Sequence, residues 1–287
     1  MEHVAPASEA AAPPPLSKKA RKRAAREAQR LDEKRQKKEK NRTAARDRAA
    51  AAAAAARAAD ALLSDAERAE NLRKAQQSRD ERVRKREAED AAFETLVAKG
   101  CRVVIDCGFE NLMTDREARS SSQQIMYCYG ANRRAERPAR LLVVGLGGRQ
   151  AASLNNVSGV ASWRGASVDA RPLEAACPDR ASLVYLTAES ETVLDAVDAA
   201  TTYVIGGFVD RNRHKGATHA KAKALGVRTA RLPIGDGGAI VLDKEASRVL
   251  AVNHVFELVV RAQSSAWAVA AECLPGSRRH GRKRKEP

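Results

Sequence analysis

A long stretch without glycine or proline is the feature that most limits how this chain can fold. Residues 17–99 contain neither residue, and they are dense in Lys, Arg, Glu, Gln and Ala, a composition that strongly favours helix. Apolar residues are too sparse there to line a face against a core, and residues 49–56 are eight consecutive alanines. We therefore predict that residues 17–99 form a basic helical extension and that the folded domain begins at Gly100.

Positive charge is concentrated at the two ends of the chain. The formal net charge is +16, and residues 17–48 hold 15 Lys or Arg against 5 Asp or Glu. Basic arms of this kind suit salt-sensitive binding to a nucleic-acid backbone. We predict that residues 1–16, which are rich in Pro and Ala, and residues 271–287, which end in a basic run, are disordered.

The ends of the chain also bear on where the protein is expected. The N-terminus lacks the basic and leucine-rich segments of a signal peptide, and Glu2 and Glu9 precede the first Arg, unlike a mitochondrial presequence. There is no run of about 18 apolar residues, so no membrane helix is predicted. The basic clusters at residues 18–23 and 278–285 suit either nuclear localisation or RNA contact. We expect the nucleus and/or the cytoplasm rather than the mitochondrion.

Two common kinds of ligand site find little support in the sequence. The five cysteines include no C-x-x-C pair, so neither a metal site nor a disulfide framework is predicted, and we expect reduced thiols. Gly145-Leu-Gly-Gly148 follows an apolar run, but its spacing differs from the dinucleotide fingerprint G-x-G-x-x-G. A turn at the end of a strand is the preferred interpretation of these glycines.

From Cys101 onward, short β-branched runs alternate with helical patterns. Strands are predicted at residues 103–105, 141–144, 183–186, 203–205 and 227–232. Helices are predicted after Thr114, where Glu117 completes the capping-box spacing, and at residues 191–199, 217–225 and 249–270. This alternation predicts an α/β domain with a mostly parallel sheet over residues 100–270.

Three predicted strands each end in a loop of unusual composition. These loops are Leu186-Thr-Ala-Glu-Ser190, Gly206-Gly-Phe-Val-Asp210 and Leu232-Pro-Ile-Gly-Asp236. Loops at the carboxyl ends of parallel strands converge, and ligands bind where they meet. Four of the five residues after Asp210 are basic, so an ordinary ion pair and a solvated charged face remain alternatives to a binding role.

The stretch Tyr203–Lys215, with residues 187–190, 232–234 and 250–256, resembles the tRNA (guanine-9-N1)-methyltransferases of the SPOUT superfamily. Upstream, residues 106–134 are similar to the first strand, the helix and the Asn-Arg motif of that family. Residues 16–23 are similar to the start of its basic extension. The resemblance covers roughly residues 100–260, and it depends on several ordered motifs rather than on one.

The resemblance implies a fold, a cofactor and a set of contacts. The fold would be a SPOUT-type, mostly parallel α/β sheet with a C-terminal trefoil knot, preceded by a basic, tRNA-binding extension. The protein would be a monomer that uses S-adenosyl-L-methionine and no metal. The family's cofactor contacts fall on Leu186, Thr187, Gly206, Gly207, Leu232, Pro233, Ile234, Val252, Asn253 and His254.

The resemblance also implies the reaction, which is methylation of purine N1 at position 9 of tRNA. Guanine is the expected base, and adenine is an open second choice. Guanine N1 carries a proton near neutral pH, so a carboxylate that accepts it would act as a general base. Asp210 occupies the family's position for that role, with positioning of the base as its alternative. Contacts to tRNA would come from Asn132, Arg133, Arg134, Arg211, Asn212, Arg213 and Lys215.

Two other functions remain open at this point. A non-catalytic RNA-binding protein would explain the basic arms but not the three strand-end loops, and aromatic residues are only 3% of the chain, which is few for a base-stacking surface. A SPOUT enzyme with another target, such as a ribose 2′-oxygen, would need a catalytic Arg after the first strand. The sequence there is Asp106-Cys-Gly.

Overall fold

The computed structural model describes residues 18–157, 159–235, 237–243 and 249–275, with the backbone alone at residues 19–21, 23, 24, 27, 28 and 31. The segment 1–16 that was predicted to be disordered lies outside these residues. So does most of the predicted C-terminal tail, from residue 276 onward.

The extension contains two helices rather than one. Helix α1 spans Lys18–Ala61 and helix α2 spans Asp65–Lys99. Ser64 starts α2 with a capping box, since its backbone N–H donates to Glu67 Oε2 at 2.8 Å and the Glu67 N–H donates to Ser64 Oγ at 3.4 Å. The break at residues 62–64 therefore has a readable sequence signal, Ser-x-x-Glu.

The chain divides into two compact units, residues 1–81 and residues 82–287. The division falls within α2, so the last part of this helix belongs to the unit that contains the sheet. Phe93 and Val97 are buried there, whereas Leu96 is 44% exposed. Gly165 adopts a positive φ of 64°, and a Cβ atom on it would lie 2.7 Å from Val97 Cγ2. The last part of α2, from residue 82 onward, thus packs directly on the backbone of the domain.

Six parallel strands form one sheet in the order β3-β2-β1-β5-β4-β6, which confirms the predicted α/β class. Strand β3 was not predicted, because its sequence, Ala-Ser-Val-Asp, is short and lies at an edge of the sheet. The last strand is shorter than the predicted 227–232. The strands are β1 Arg102–Asp106, β2 Arg140–Val144, β3 Ala166–Asp169, β4 Leu183–Leu186, β5 Thr202–Gly206 and β6 Arg228–Ala230.

Helices cover both faces of this sheet. Successive residues of β1 alternate between them, with Val103 and Ile105 in one apolar cluster and Val104 in the other. Phe256 and Ile125 fill the first cluster, and both are fully buried. The helices are α3 Asp115–Arg133, α4 Gly148–Asn155, α5 Leu173–Ala176, α6 Ala217–Ala224, α7 Val252–Ala262 and α8 Trp267–Ala270.

Two helix predictions were wrong in their extent or type. Residues 191–199 are not helical, because the backbone of Arg231 holds part of this segment extended. The Leu194 N–H donates to the Arg231 carbonyl at 2.8 Å, and the Arg231 N–H donates to the Thr192 carbonyl at 2.8 Å. The long helix predicted over residues 249–270 is two helices, α7 and α8, separated at residues 263–266.

The compact fold continues past the predicted boundary at residue 270. Ala271–Cys273 forms a turn of 3-10 helix, and Leu274 is 1% exposed. Leu274 packs in a third apolar cluster with Ile240, Leu258 and Trp267. Residues 271–274 therefore belong to the domain rather than to a disordered tail.

None of the helices in the described part of the chain combines the length and the apolar character needed to cross a membrane.

Candidate functional site

A cavity of about 420 Å³ opens at the carboxyl ends of β4, β5 and β6, a size within the usual range of small-molecule sites. The three strand-end loops predicted to converge do so here. Residue 236, at the end of the third loop, lies outside the described residues. The walls of the cavity are formed by Leu186, Thr187, Ala188, Glu189, Ile205, Gly206, Phe208, Asp210, Asn212, His214, Lys215, Gly216, Thr218, Arg231, Leu232, Ile234, Val249, Leu250, Val252 and Val255.

Hydrogen bonds join the loop after β4 to the loop after β5. Thr187 Oγ1 donates to Glu189 Oε2 at 2.5 Å, and Thr218 Oγ1 donates to Thr187 Oγ1 at 2.9 Å. The Gly216 N–H donates to the other Glu189 oxygen at 3.2 Å. Glu189 was not among the predicted site residues, although the Thr-Ala-Glu-Ser motif contains it. Its carboxylate fixes one wall of the cavity.

The two glycines after β5 have different surroundings. Gly206 lines the cavity, and a Cβ atom there would lie 2.6 Å from Thr218 Cγ2. Gly207 faces the core instead, because a Cβ atom on it would lie 2.7 Å from Ile105 Cγ2. Gly207 is not among the residues that line the cavity, and its predicted contact with the cofactor stays a prediction. Its role is to let the chain pass close over β1.

Asp210 closes the loop after β5 on itself. One carboxylate oxygen accepts the Asn212 N–H at 2.8 Å, and the other accepts the His214 N–H at 2.7 Å. The intervening Arg211 and Asn212 have positive φ values of 52° and 63°, a conformation that costs side-chain-bearing residues about 1–3 kcal/mol each. The carboxylate offsets this strain, and it lies at the wall of the cavity.

The residues predicted to contact tRNA after Asp210 have different surroundings. Asn212 and Lys215 line the cavity, whereas Arg211 is exposed outside it. The Arg213 side chain is 49% exposed, and its guanidinium donates to Glu117 Oε2 at 2.6 Å and to the Leu112 carbonyl at 3.3 Å. Arg213 ties the loop to α3, and its predicted role as a tRNA contact stays a prediction.

Glu117 is the acidic partner in that link and also the cap of α3. The predicted capping box with Thr114 is confirmed, since each residue's side chain accepts the other's backbone N–H. The hydrogen bond from the Thr114 backbone, together with the Thr114 hydroxyl and the Arg213 cation, lowers the pKa of Glu117 below its ordinary value. The ionised carboxylate thus serves both the helix and the loop.

Much of the lining is apolar, with Leu186, Ile205, Leu232, Ile234, Val249, Leu250, Val252 and Val255. Of the ten predicted cofactor contacts, six line the cavity, namely Leu186, Thr187, Gly206, Leu232, Ile234 and Val252. Pro233 is buried beside it, with its carbonyl accepting the Ile240 N–H at 2.9 Å. Asn253 and His254 lie on α7 outside the lining, because only one side of this helix faces the cavity.

The Asn-Arg-Arg motif at the end of α3 does not act as one basic cluster. Asn132 is fully buried, and its amide exchanges hydrogen bonds of 2.9 and 2.8 Å with the backbone of Ala139. Arg133 donates to Asp90 at 2.9 Å. The predicted tRNA contact of Asn132 is therefore wrong, and Arg133 binds α2. Arg134 alone of the three is exposed.

A buried carboxylate, Asp106, links the centre of the sheet to a helix beside the site. Asp106 at the end of β1 is fully buried. It accepts hydrogen bonds from Tyr185 Oη at 2.9 Å and from Lys221 Nζ at 2.8 Å. Burial and the neighbouring carboxylate raise the pKa of Tyr185, so its hydroxyl stays protonated as a donor. The pair Asp106–Lys221 fastens α6 to the centre of the sheet.

Among the described residues, no group of three or more His, Cys, Asp or Glu side chains is arranged to hold a metal ion. All five cysteines lie in the described part of the chain, where none forms a disulfide, and four of them are buried. The cavity itself is lined by carboxylate, hydroxyl, amide and cationic side chains together with apolar ones.

Comparison with known proteins shows which family this chain resembles. The family model for tRNA (guanine(9)-N(1))-methyltransferase TRM10/TRM10A matches residues 14–279. A tRNA (guanine(9)-N1)-methyltransferase of Candida glabrata is 35% identical over 187 residues, which are 64% of each chain. Human tRNA methyltransferase 10 homolog A is 34% identical over 178 residues, covering 62% of this chain and 50% of the human one. The chain thus spans about half to two thirds of the length of these curated relatives.

Solved structures give the same result for the domain. The crystal structure of full-length spTrm10 in complex with SAH superposes with a TM-score of 0.55 at 33% identity, over 61% of this chain and 95% of that one. The crystal structure of spTrm10(74) superposes with a TM-score of 0.54 at 31% identity, over 61% and 94% of the two chains.

Proposed function

Because the chain belongs to the tRNA (guanine(9)-N(1))-methyltransferase TRM10/TRM10A family, we propose that it transfers a methyl group to purine N1 at position 9 of tRNA. Guanine is the proposed acceptor, and adenine is an open second choice. The observation that carries the proposal is the cavity at the ends of β4, β5 and β6, which has an apolar wall and the Asp210 carboxylate at its edge.

The proposed methyl donor is S-adenosyl-L-methionine. SAH, the product that this donor leaves, is bound in the spTrm10 structure, and the cavity here fits such a molecule in size and in its combination of apolar and polar walls. The donor supplies an electrophilic methyl group on sulfur. It would be held by the six predicted contacts that line the cavity, Leu186, Thr187, Gly206, Leu232, Ile234 and Val252. The C-terminal trefoil knot of SPOUT proteins is part of this proposal.

Asp210 is the proposed acceptor of the guanine N1 proton. A carboxylate has about four lone-pair positions, and two are used by the N–H groups of Asn212 and His214. The remaining positions are available to a base at the cavity. The same two bonds also support the alternative, in which Asp210 shapes the loop and aims the base.

The proposed RNA contacts are those residues that the fold leaves exposed or at the cavity. Arg211, Asn212 and Lys215 surround Asp210, and Arg134 is exposed at the end of α3. Helix α1 carries most of the positive charge of the N-terminal arm, which suits the tRNA backbone. We further propose that the protein acts as a monomer, and in the nucleus and/or the cytoplasm.

The experiment is methyl transfer from labelled S-adenosyl-L-methionine to total tRNA, followed by mapping of the methylated nucleoside. We expect 1-methylguanosine at position 9. Transfer to a ribose or to another position would assign the protein a different RNA target. RNA binding without transfer and without SAH binding would make it a non-catalytic RNA-binding protein. A tRNA with adenosine at position 9 tests the second acceptor directly, and sedimentation of the complex tests the monomer.

A further inference from the structure

Two side chains from different helices hold the carbonyl of Gly207. Ser121 Oγ on α3 donates to it at 2.7 Å, and Gln150 Nε2 on α4 donates to it at 2.8 Å. Gln150 Nε2 also lies 2.8 Å from Ser121 Oγ. Both side chains are fully buried. We refer to Ser121, Gln150 and the Gly207 carbonyl as the Gly207 clasp.

Ser121 and Gln150 are polar side chains buried in an apolar core. Burying a hydroxyl or an amide is costly unless it is hydrogen-bonded, and Ser is a weak helix former. The apolar residues Ile125 and Leu154 fill the surrounding core. The Gly207 carbonyl needs hydrogen-bond donors, because it lies one residue beyond Asp106–Gly206, the last pair of residues between β1 and β5. There the sheet offers it no strand partner, and the clasp provides the donors.

The clasp fixes the direction in which the chain leaves the sheet. On the other side of the same residue, the Gly207 N–H donates to the Asp106 carbonyl at 2.7 Å. Gly207 is therefore held through both its N–H and its carbonyl, and it has no room for a side chain. The loop that follows carries Phe208, Asp210 and Lys215 to the cavity. A rotation of the Gly207 peptide would displace all three.

We propose that Ser121 and Gln150 are positioning residues for methyl transfer, acting through the Gly207 carbonyl on the placement of Asp210. The proposal rests on the proposed function. Neither residue lines the cavity, so neither contacts the cofactor or the RNA base. Their effect is on the geometry of the loop, and small displacements of a catalytic group, on the order of 1 Å, cost about 100-fold in rate.

The adjacent serine provides a matched control. Ser122 is 1% exposed, and its single hydroxyl proton is shared between the backbone carbonyls of Ala118 and Gln150, each 3.0 Å from Oγ. Ser121→Ala and Ser122→Ala each delete one buried hydroxyl from the same helix, and only the first removes a donor from Gly207. We expect a single-turnover rate about 10-fold lower in Ser121→Ala and within about 2-fold of wild type in Ser122→Ala.

The second donor gives a test by combination. Gln150→Met keeps the length of the side chain and removes its donor. With one donor left, the carbonyl stays bonded, but the double variant leaves it buried and unpaired, which is disproportionately unfavourable. We expect the Ser121→Ala/Gln150→Met variant to lose more than the product of the two single losses. Gln150→Met alone also serves if Ser121→Ala fails to fold.

Hydrogen exchange of the backbone provides a readout that does not depend on activity. Protection of residues 208–214 should fall in Ser121→Ala and stay at the wild-type level in Ser122→Ala. Equal losses of rate in the two serine variants, or unchanged protection of residues 208–214 in Ser121→Ala, would overturn the proposal. If the wild-type protein transfers no methyl group, the proposed function fails, and the exchange comparison still decides whether the clasp holds the loop.

Discussion

The guanidinium of Arg133 lies over the ring of Phe93, 4.2 Å from its centroid. The same group donates to Asp90 at 2.9 Å. A residue of a motif that resembles a tRNA-binding element thus holds α2 on the domain. Its neighbour Arg134 is exposed, so the two arginines can be separated by experiment.

Arg133→Ala should destabilise the protein, whereas Arg134→Ala should weaken RNA binding. We expect Arg133→Ala to lower the free energy of unfolding by about 1–3 kcal/mol, because it removes a cation–π contact and the shorter of the two ion pairs of Asp90, whose other partner is Arg86 at 4.0 Å. Arg134→Ala should leave stability unchanged and reduce the salt slope of tRNA binding by about 1. Denaturant unfolding and binding at several salt concentrations measure the two effects. A reduced salt slope in folded Arg133→Ala would make Arg133 a phosphate contact.

Asp210→Asn should lower kcat by about 100-fold or more while tRNA affinity stays near wild type. The Asn side chain keeps one acceptor and places an amide NH₂ group where the second oxygen accepted a backbone N–H. SAH affinity, measured by calorimetry, reports the resulting shape of the loop. If rate and SAH affinity fall together, Asp210 acts through the loop. Full single-turnover activity would remove Asp210 from the mechanism.

Glu117 should make stability depend on pH on the acid side. The Thr114 hydrogen bonds and Arg213 lower its pKa in the folded state, so the folded protein binds a proton less readily than the unfolded chain. The stabilisation is present above the unfolded value of about 4.3 and is lost as pH falls through the lower folded value. Urea unfolding between about pH 3 and 6 measures this, with Glu117→Gln giving a flatter profile. An identical profile in Glu117→Gln would contradict the assignment.

Ile234→Ala should weaken SAH binding, whereas Asn253→Ala should not. Ile234 lines the cavity and Asn253 does not, although both were predicted as cofactor contacts. Loss of apolar contact corresponds to about 1 kcal/mol or more, which is a roughly five-fold or larger rise in Kd. Calorimetric titration with SAH provides the comparison. Equal affinity in the two variants would move the binding site away from this wall.

The sequence predicted the centre of the sheet better than its edges. Strands β1, β2, β4 and β5 lie within one residue of their predicted bounds, because buried parallel strands read as continuous apolar runs. Edge strand β3 has no such run. The segment 191–199 has helical composition, yet the Arg231 backbone holds it extended through contacts that are about 40 residues away in sequence. Local propensity cannot report such a partner.

Within the candidate site, sequence reasoning found the loops but not the direction of each side chain. Consecutive residues of a helix point about 100° apart, so Asn132, Arg133 and Arg134 face the core, α2 and solvent in turn. Likewise, Gly206 faces the cavity and Gly207 faces the core. A motif match suggests the same role for all of its residues. In the fold, only those side chains that face the ligand can contact it.

The buried pair Asp106–Lys221 has a consequence for synthesis of the chain. The two residues are 115 positions apart, and β1, which carries Asp106, lies between β2 and β5 in the sheet. A ribosome adds about 5–20 residues per second, so on the order of ten seconds separates the appearance of the carboxylate from that of its ammonium partner. Until β5 (Thr202–Gly206) is made, one edge of the central strand is free, and until residue 221 is made Asp106 lacks its ammonium partner. Pulse-labelled nascent chains that stop before residue 221 should therefore bind chaperones more strongly than chains that have passed it.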